Sequence, residues 1–127
     1  MRELTEHRVN ECNEGLRILV SDAPGAGGAC HHYRIVAAEI SDVEGRRTRL
    51  PCEVHFQNGP IKGVGVNGVT HEALLVIIAD RLSAFQAGPY SCSENGEALA
   101  HVEMALKALH RRTRNRLQRG VEGTMAT

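Results

Sequence analysis

Two stretches with helical spacing meet at Gly88-Pro89, and this break constrains the fold more than any other feature of the chain. On its N-terminal side Leu74, Leu75, Ile78, Leu82 and Phe85 recur at helical intervals. Thr70 stands where an N-cap is wanted, and Glu72 places a negative charge at the positive end of the helix dipole. Gly88 suits a C-terminal cap, and Pro89 forbids continuation. A second start follows at once, because Ser91 and Glu94 have capping-box spacing. Leu99, Val102, Leu106, Leu109 and Thr113 then continue one face as far as Gly120. Two helices joined by so few residues must fold back antiparallel.

The first half of the chain reads as strands. Residues 16–20 (LRILV), 32–40 (HYRIVAAEI) and 48–57 (TRLPCEVHFQ) are three candidates, with Pro51 marking an edge or a bulge. A turn is expected around Ser41, Asp42, Val43, Glu44 and Gly45, and a glycine-rich connector over residues 58–70. The expected fold is α+β: a small N-terminal antiparallel sheet in residues 1–68, followed by an antiparallel helical hairpin in residues 69–127, sharing one compact domain. Only 3% of the residues are aromatic, so the core is thin and burial between subunits is expected.

Other classes are disfavoured. Net charge is zero, which removes any bulk attraction to nucleic acid or anionic membrane. No apolar run approaches the ~20 residues of a membrane span. The mixed-charge start, Met-Arg-Glu-Leu-Thr-Glu-His, does not resemble a signal peptide, so a cytoplasmic protein is expected. The glycine loop Pro24-Gly25-Ala26-Gly27-Gly28 lacks the Gly-Lys-Ser/Thr ending of a P-loop, and Cys30 stands where a dinucleotide fingerprint needs its third glycine. Cys12, Cys30, Cys52 and Cys92 form no Cys-x-x-Cys pair and are expected as reduced thiols. Cys30, His31 and His32, completed by His55 or Cys52, are the material for a metal site. Paired ligands at short spacing occur in one place only, so no metal and no cofactor are expected.

The second helix is polarised. Lys107, Arg111, Arg112, Arg114, Arg116 and Arg119 fill its second half without an acid among them. Cations complement a helix C-terminus, yet this many exceed that need, and arginine is the residue that grips phosphate with paired donors. Arg112 and Arg116, four apart, project from one face, whereas Arg111 and Arg114 are expected on others. An anion-binding surface and a merely solvated one both remain open at this point.

Three ordered blocks carry a family resemblance: residues 56–67 (FQNGPIKGVGVN), residues 69–86 (VTHEALLVIIADRLSAFQ) and the ending from Arg112-Thr113 to Arg119-Gly120-Val121-Glu122-Gly123-Thr124. Together they resemble the phage Thoeris anti-defence proteins of the first type. Members are non-enzymatic sponges for the cyclic ADP-ribose isomers made by bacterial TIR-domain defence enzymes. The resemblance implies a small sheet plus a helical hairpin, assembly as homodimers or trimers of dimers, and, in some members, a second symmetric site for cyclic di- or trinucleotides. The hairpin is similar in architecture to the sponge that counters CBASS signalling. Residue by residue, Phe85 resembles the aromatic that stacks on adenine, Asn95 the asparagine that hydrogen-bonds the ligand, and Arg112 and Arg116 the arginines that hold its phosphates. Gly96 departs locally, since glycine weakens a helix by ~1 kcal/mol relative to alanine. Phe85 also fits the apolar stripe as core, and Asn95 fits an ordinary first turn.

Asn95 and Arg112 are separated along one helix by roughly 26 Å at 1.5 Å per residue. A ligand of dinucleotide size is far shorter, so all four residues can touch one ligand only if they come from two chains. A two-fold homodimer with two equivalent pockets follows. An enzyme is the first rival, although nothing places a base or an oxyanion hole beside any Cys or His. A small nucleic-acid-binding module using the basic helix end is the second, opposed by zero net charge and by the absence of interleaved aromatics.

Overall fold

A computed structural model describes residues 2–41, 44, 45 and 47–124. Asp42 and Val43 of the expected turn lie outside the described residues. The chain divides into two compact units, the first ending at Asn58 and the second beginning at Gly59.

The first unit is a four-stranded antiparallel meander in the order β1 (Arg2–Leu4), β2 (Arg17–Val20), β3 (His32–Ser41) and β4 (Arg47–His55). Residues opposite one another share a face. Arg2 pairs with Val20, Val20 with Tyr33 and Tyr33 with Val54, so one face carries Leu4, Ile18, Val20, Tyr33, Ile35, Cys52 and Val54. The other carries Glu3, Arg17, Leu19, His32, Arg34, Glu53 and His55. Val20, at 2% exposure, is the one fully buried apolar residue among those whose side chains are described. Tyr33 and Phe56 meet edge to face beside it, ring centroids 5.6 Å apart.

The strand β1 was not anticipated, because two of its three residues are charged and no alternation can be read from so short a piece. Its register is held by Glu3, whose carboxylate pairs with Arg17 at 3.1 Å and with Arg8. A one-turn helix, α1 (Glu11–Glu14), lies between β1 and β2, capped by Asn10 through its bond from the Asn13 amide at 2.9 Å. The glycine loop is a 3-10 turn, Ala26–Gly28, with Gly27 and Gly28 at φ of 76° and 79°. Its ends are tied by Asp22, whose carboxylate accepts the backbone N–H of His31 at 2.9 Å and of His32 at 3.0 Å. These bonds hold the Asp22 carboxyl below its ordinary range. Pro51 lies on the edge strand β4, where a missing N–H costs no ladder bond.

The second unit contains α2 (Ile61–Val64), α3 (His71–Gln86) and α4 (Ser93–Gln118), and α3 packs along α4. Thr70 caps α3 as expected, accepting from the Ala73 amide at 3.2 Å. The cap of α4 is Cys92, one residue later than the Ser91 reading: its sulfur accepts from the Asn95 amide at 3.4 Å. The α4 helix ends in a Schellman motif at Gly120, φ 71°, with Gly120 N–H donating to Leu117 O and Val121 N–H to Arg116 O. Half-buried Leu74, Leu75, Ala79 and Leu82 on α3, and Leu99, Val102, Leu106, Leu109 and Thr113 on α4, mark the seam. Ile78, expected within that seam, is exposed together with Val76, Ile77 and Met104, each at 46–63%.

Candidate functional site

Two clusters occupy opposite ends of the hairpin. At the turn, Phe85 is 38% exposed, and its ring meets that of the exposed Tyr90 edge to face at 6.2 Å. The Arg81 guanidinium lies 5.0 Å from the Phe85 centroid, one helical turn back on the same face. Asn95, in the first turn of α4, donates from Nδ2 to the Tyr90 carbonyl at 3.2 Å, which leaves Oδ1 as an acceptor. The turn region therefore carries an open aromatic ring, a cation and a half-buried amide between positions 81 and 95.

Gly96 has a local reason. The Gln86 side chain crosses the turn, accepting the Cys92 amide at 3.0 Å on Oε1, and a Cβ at position 96 would lie 3.0 Å from Gln86 Nε2. The glycine makes room for the amide that closes the hairpin, so its helix-weakening cost is offset by a hydrogen bond to the turn.

At the other end, Arg111, Arg112, Asn115, Arg116 and Arg119 line an open concavity of about 480 Å³. At 100° per residue these positions fall within an arc of about 140° on one helix. Arg112 and Arg116 thus share the face that their spacing indicates. Arg111, about 100° from Arg112 on the helix, lines the other side of the same concavity, whereas Arg114 does not line it. Arg112 makes no hydrogen bond or ion pair among the described residues. Arg116 is engaged: its Nε pairs with Glu122 at 2.9 Å, and its Nη2 donates to the carbonyls of Val121 at 3.0 Å and Thr124 at 3.1 Å. Its side chain is only 14% exposed. The tail that Arg116 holds also meets α2, where the Lys62 amide donates to Gly123 O at 3.0 Å.

Sequence reasoning missed Arg81, Tyr90, Asn115 and Glu122. Arg81 had a signal, four residues before Phe85 on one helix. Tyr90 and Glu122 had none, because their positions depend on how the turn and the tail fold back. Since α4 is continuous from Ser93 to Gln118, Asn95 and Arg112 remain at its two ends, roughly 26 Å apart by helical rise. Among the described residues, no helix is long and apolar enough to cross a membrane.

The chain resembles a curated protein named Thoeris anti-defense 1, from Bacillus phage SBSphiJ7, with 46% identity over 71 residues. That alignment covers 56% of this chain and 50% of the relative, so the chain spans about half the length of the relative it matches. The sequence profile of the family described as Acb2/Tad1, hairpin domain, matches residues 51–114, which include the second half of the edge strand β4, the hairpin turn and the first arginines of the concavity. That match covers half of the chain, and with it the protein belongs to the Acb2/Tad1 hairpin family.

Proposed function

We propose that this protein is an anti-Thoeris sponge that binds a cyclic ADP-ribose isomer and withholds it without degrading it. Phe85 stacks on the adenine and Asn95 Oδ1 accepts a hydrogen bond from the ligand. Arg112 and Arg116 of a second copy grip the phosphates. The carrying observation is the split between the two clusters. A base-stacking tip and an arginine-lined concavity suit the two ends of one nucleotide, yet a single continuous helix holds them apart. A homodimer that sets the tip of one hairpin against the basic end of the other resolves this. Trimers of dimers, with a second site for cyclic di- or trinucleotides, extend the same reading.

Exposed apolar surface on the hairpin supports association. Val76, Ile77, Ile78 and Met104 leave about half of their area open. Covering each in an interface contributes about 1 kcal/mol, half of the value for burying a whole apolar side chain. Four such residues from each of two chains supply a substantial part of a stable interface.

The test is ligand capture. Purified protein is mixed with cyclic ADP-ribose isomers and cyclic di- and trinucleotides, freed of unbound ligand and heated, and the released species are identified by mass. An intact cyclic ADP-ribose isomer is expected. Recovery of a hydrolysed or rearranged product would mean an enzyme. Preferential binding of long DNA or RNA with a steep salt dependence would mean a nucleic-acid module.

A further inference from the structure

We propose that His32, Glu53 and His55, on the polar face of the sheet, form a binding site for a divalent first-row transition ion of the zinc class. These residues are not used by the nucleotide reading. The register creates the cluster: His32 stands directly opposite His55 across β3 and β4, and Glu53 is two residues before His55 on the same face. Strand pairing thus brings together ligands from two distant parts of the sequence.

The distances suit an ion. The Nε2 of His55 lies 3.3 Å from Glu53 Oε2, and the Nε2 of His32 lies 3.6 Å from the same oxygen. All three ligand atoms fall within 4.8 Å of one another. A tetrahedral ion with bonds of about 2.0–2.2 Å has ligand–ligand edges of about 3.4 Å. Two edges already have nearly that length. The third closes when His55, more than half exposed, tips out of its parallel stack on His32, where the ring centroids are 4.2 Å apart. Two imidazoles and one carboxylate match zinc-class ions, and the fourth position is left to water.

The surroundings hold the ligands in place. The Asp22 carboxylate grips the His32 backbone amide and so fixes the start of β3. Arg34, opposite Glu53, forms an ion pair with Oε1 at 3.5 Å, which leaves Oε2 to the histidines. His32 Nε2 is itself buried without a hydrogen-bond partner. A desolvated imidazole nitrogen facing a carboxylate and a second imidazole gains a partner when an ion enters. The Arg34 charge opposes the ion, so affinity rests on the three ligands and not on a negative field. Cys52, which the sequence offered as a ligand, pairs with Ile35 on the opposite face of the sheet and cannot join the site.

The test uses the full chain, treated with chelator and then titrated with Co²⁺ under reducing conditions. The expected result is one ion per chain with the visible bands of nitrogen and oxygen coordination and no sulfur-to-cobalt charge transfer. Zn²⁺ should displace the Co²⁺ and raise the melting temperature, whereas Mg²⁺ should do neither. His55→Ala and Glu53→Gln should each weaken Co²⁺ binding by about a hundredfold, at the upper end of what even outer partners of metal ligands cost. Both positions are about half exposed, so the variants should fold, which circular dichroism checks. His31→Ala and Cys52→Ser should bind as the wild type does. Binding that is equal in His55→Ala and wild type, or lost in Cys52→Ser, overturns the proposal, as does a wild type that takes up no ion. Nucleotide capture by His55→Ala should be unchanged, so this proposal and the sponge reading can fail separately.

Discussion

Mixing two damaged chains distinguishes a shared pocket from one built within a single chain. The tip variant combines Phe85→Leu with Asn95→Ala, and the basic variant is Arg112→Ala. Leucine keeps apolar volume at a position that is 38% exposed, so little besides the ring face is lost. Stacking on that face is worth about 1–3 kcal/mol, by analogy with base–aromatic platforms. The Asn95 amide adds about 1 kcal/mol if its ligand bond is buried. The tip variant should therefore lose about 2–4 kcal/mol, or roughly 30- to 1,000-fold in affinity. Arg112 has no partner within the described residues, so its loss costs the ligand contact and little stability. A charge-assisted hydrogen bond is worth about 1.5–3 kcal/mol, or roughly 10- to 150-fold. In a heterodimer of the two variants, one pocket combines both defects and the other combines two intact halves. Calorimetry on the isolated heterodimer should show one site of wild-type affinity per dimer, where the wild-type dimer shows two. If each chain forms its own pocket, no intact pocket exists in the mixture, and two weak sites would refute the shared arrangement.

Glu122→Gln removes the carboxylate that engages the part-buried Arg116 at 2.9 Å, so ligand affinity should rise at least about two- to fivefold, the range that even exposed ion pairs reach; unchanged or weaker binding would exclude Arg116 from the phosphate site. Gly120→Ala forces a side chain into the left-handed region at φ 71° and should cost about 1–2 kcal/mol in urea unfolding; an unchanged midpoint would mean that the Schellman end is not formed in solution. The Asp22 carboxyl is held below its ordinary range by the His31 and His32 amides. A carboxyl depressed on folding contributes stability that is full above its unfolded value and lost as pH falls through its folded value. Asp22→Ala should accordingly be the less stable protein at neutral pH, and the gap should narrow below about pH 4; a gap that stays constant into acid would contradict this account.

The hairpin was legible because its signals are local. Thr70, the Gly88-Pro89 break and Gly120 act through backbone geometry within a turn or two, and the apolar spacing of Leu74, Leu82, Leu99 and Leu106 reports the seam directly. The sheet was legible in class but not in detail. Arg2–Leu4 pairs with Ile18–Val20, and Glu3 reaches Arg17 across that register, a contact between residues fourteen positions apart that no local pattern announces. Arg112 and Arg116 could be placed on one face from their spacing, and Phe85 and Asn95 could be proposed from resemblance. Neither could reveal Tyr90 beside Phe85, or the tail that returns Glu122 to Arg116. Likewise, the sequence offered His32 and His55 among several possible ligands but gave no sign of Glu53 and no means of choosing His55 over Cys52. The grouping of His32, Glu53 and His55 exists only once β3 and β4 pair, because strand register, a tertiary choice, decides which distant side chains stand opposite one another.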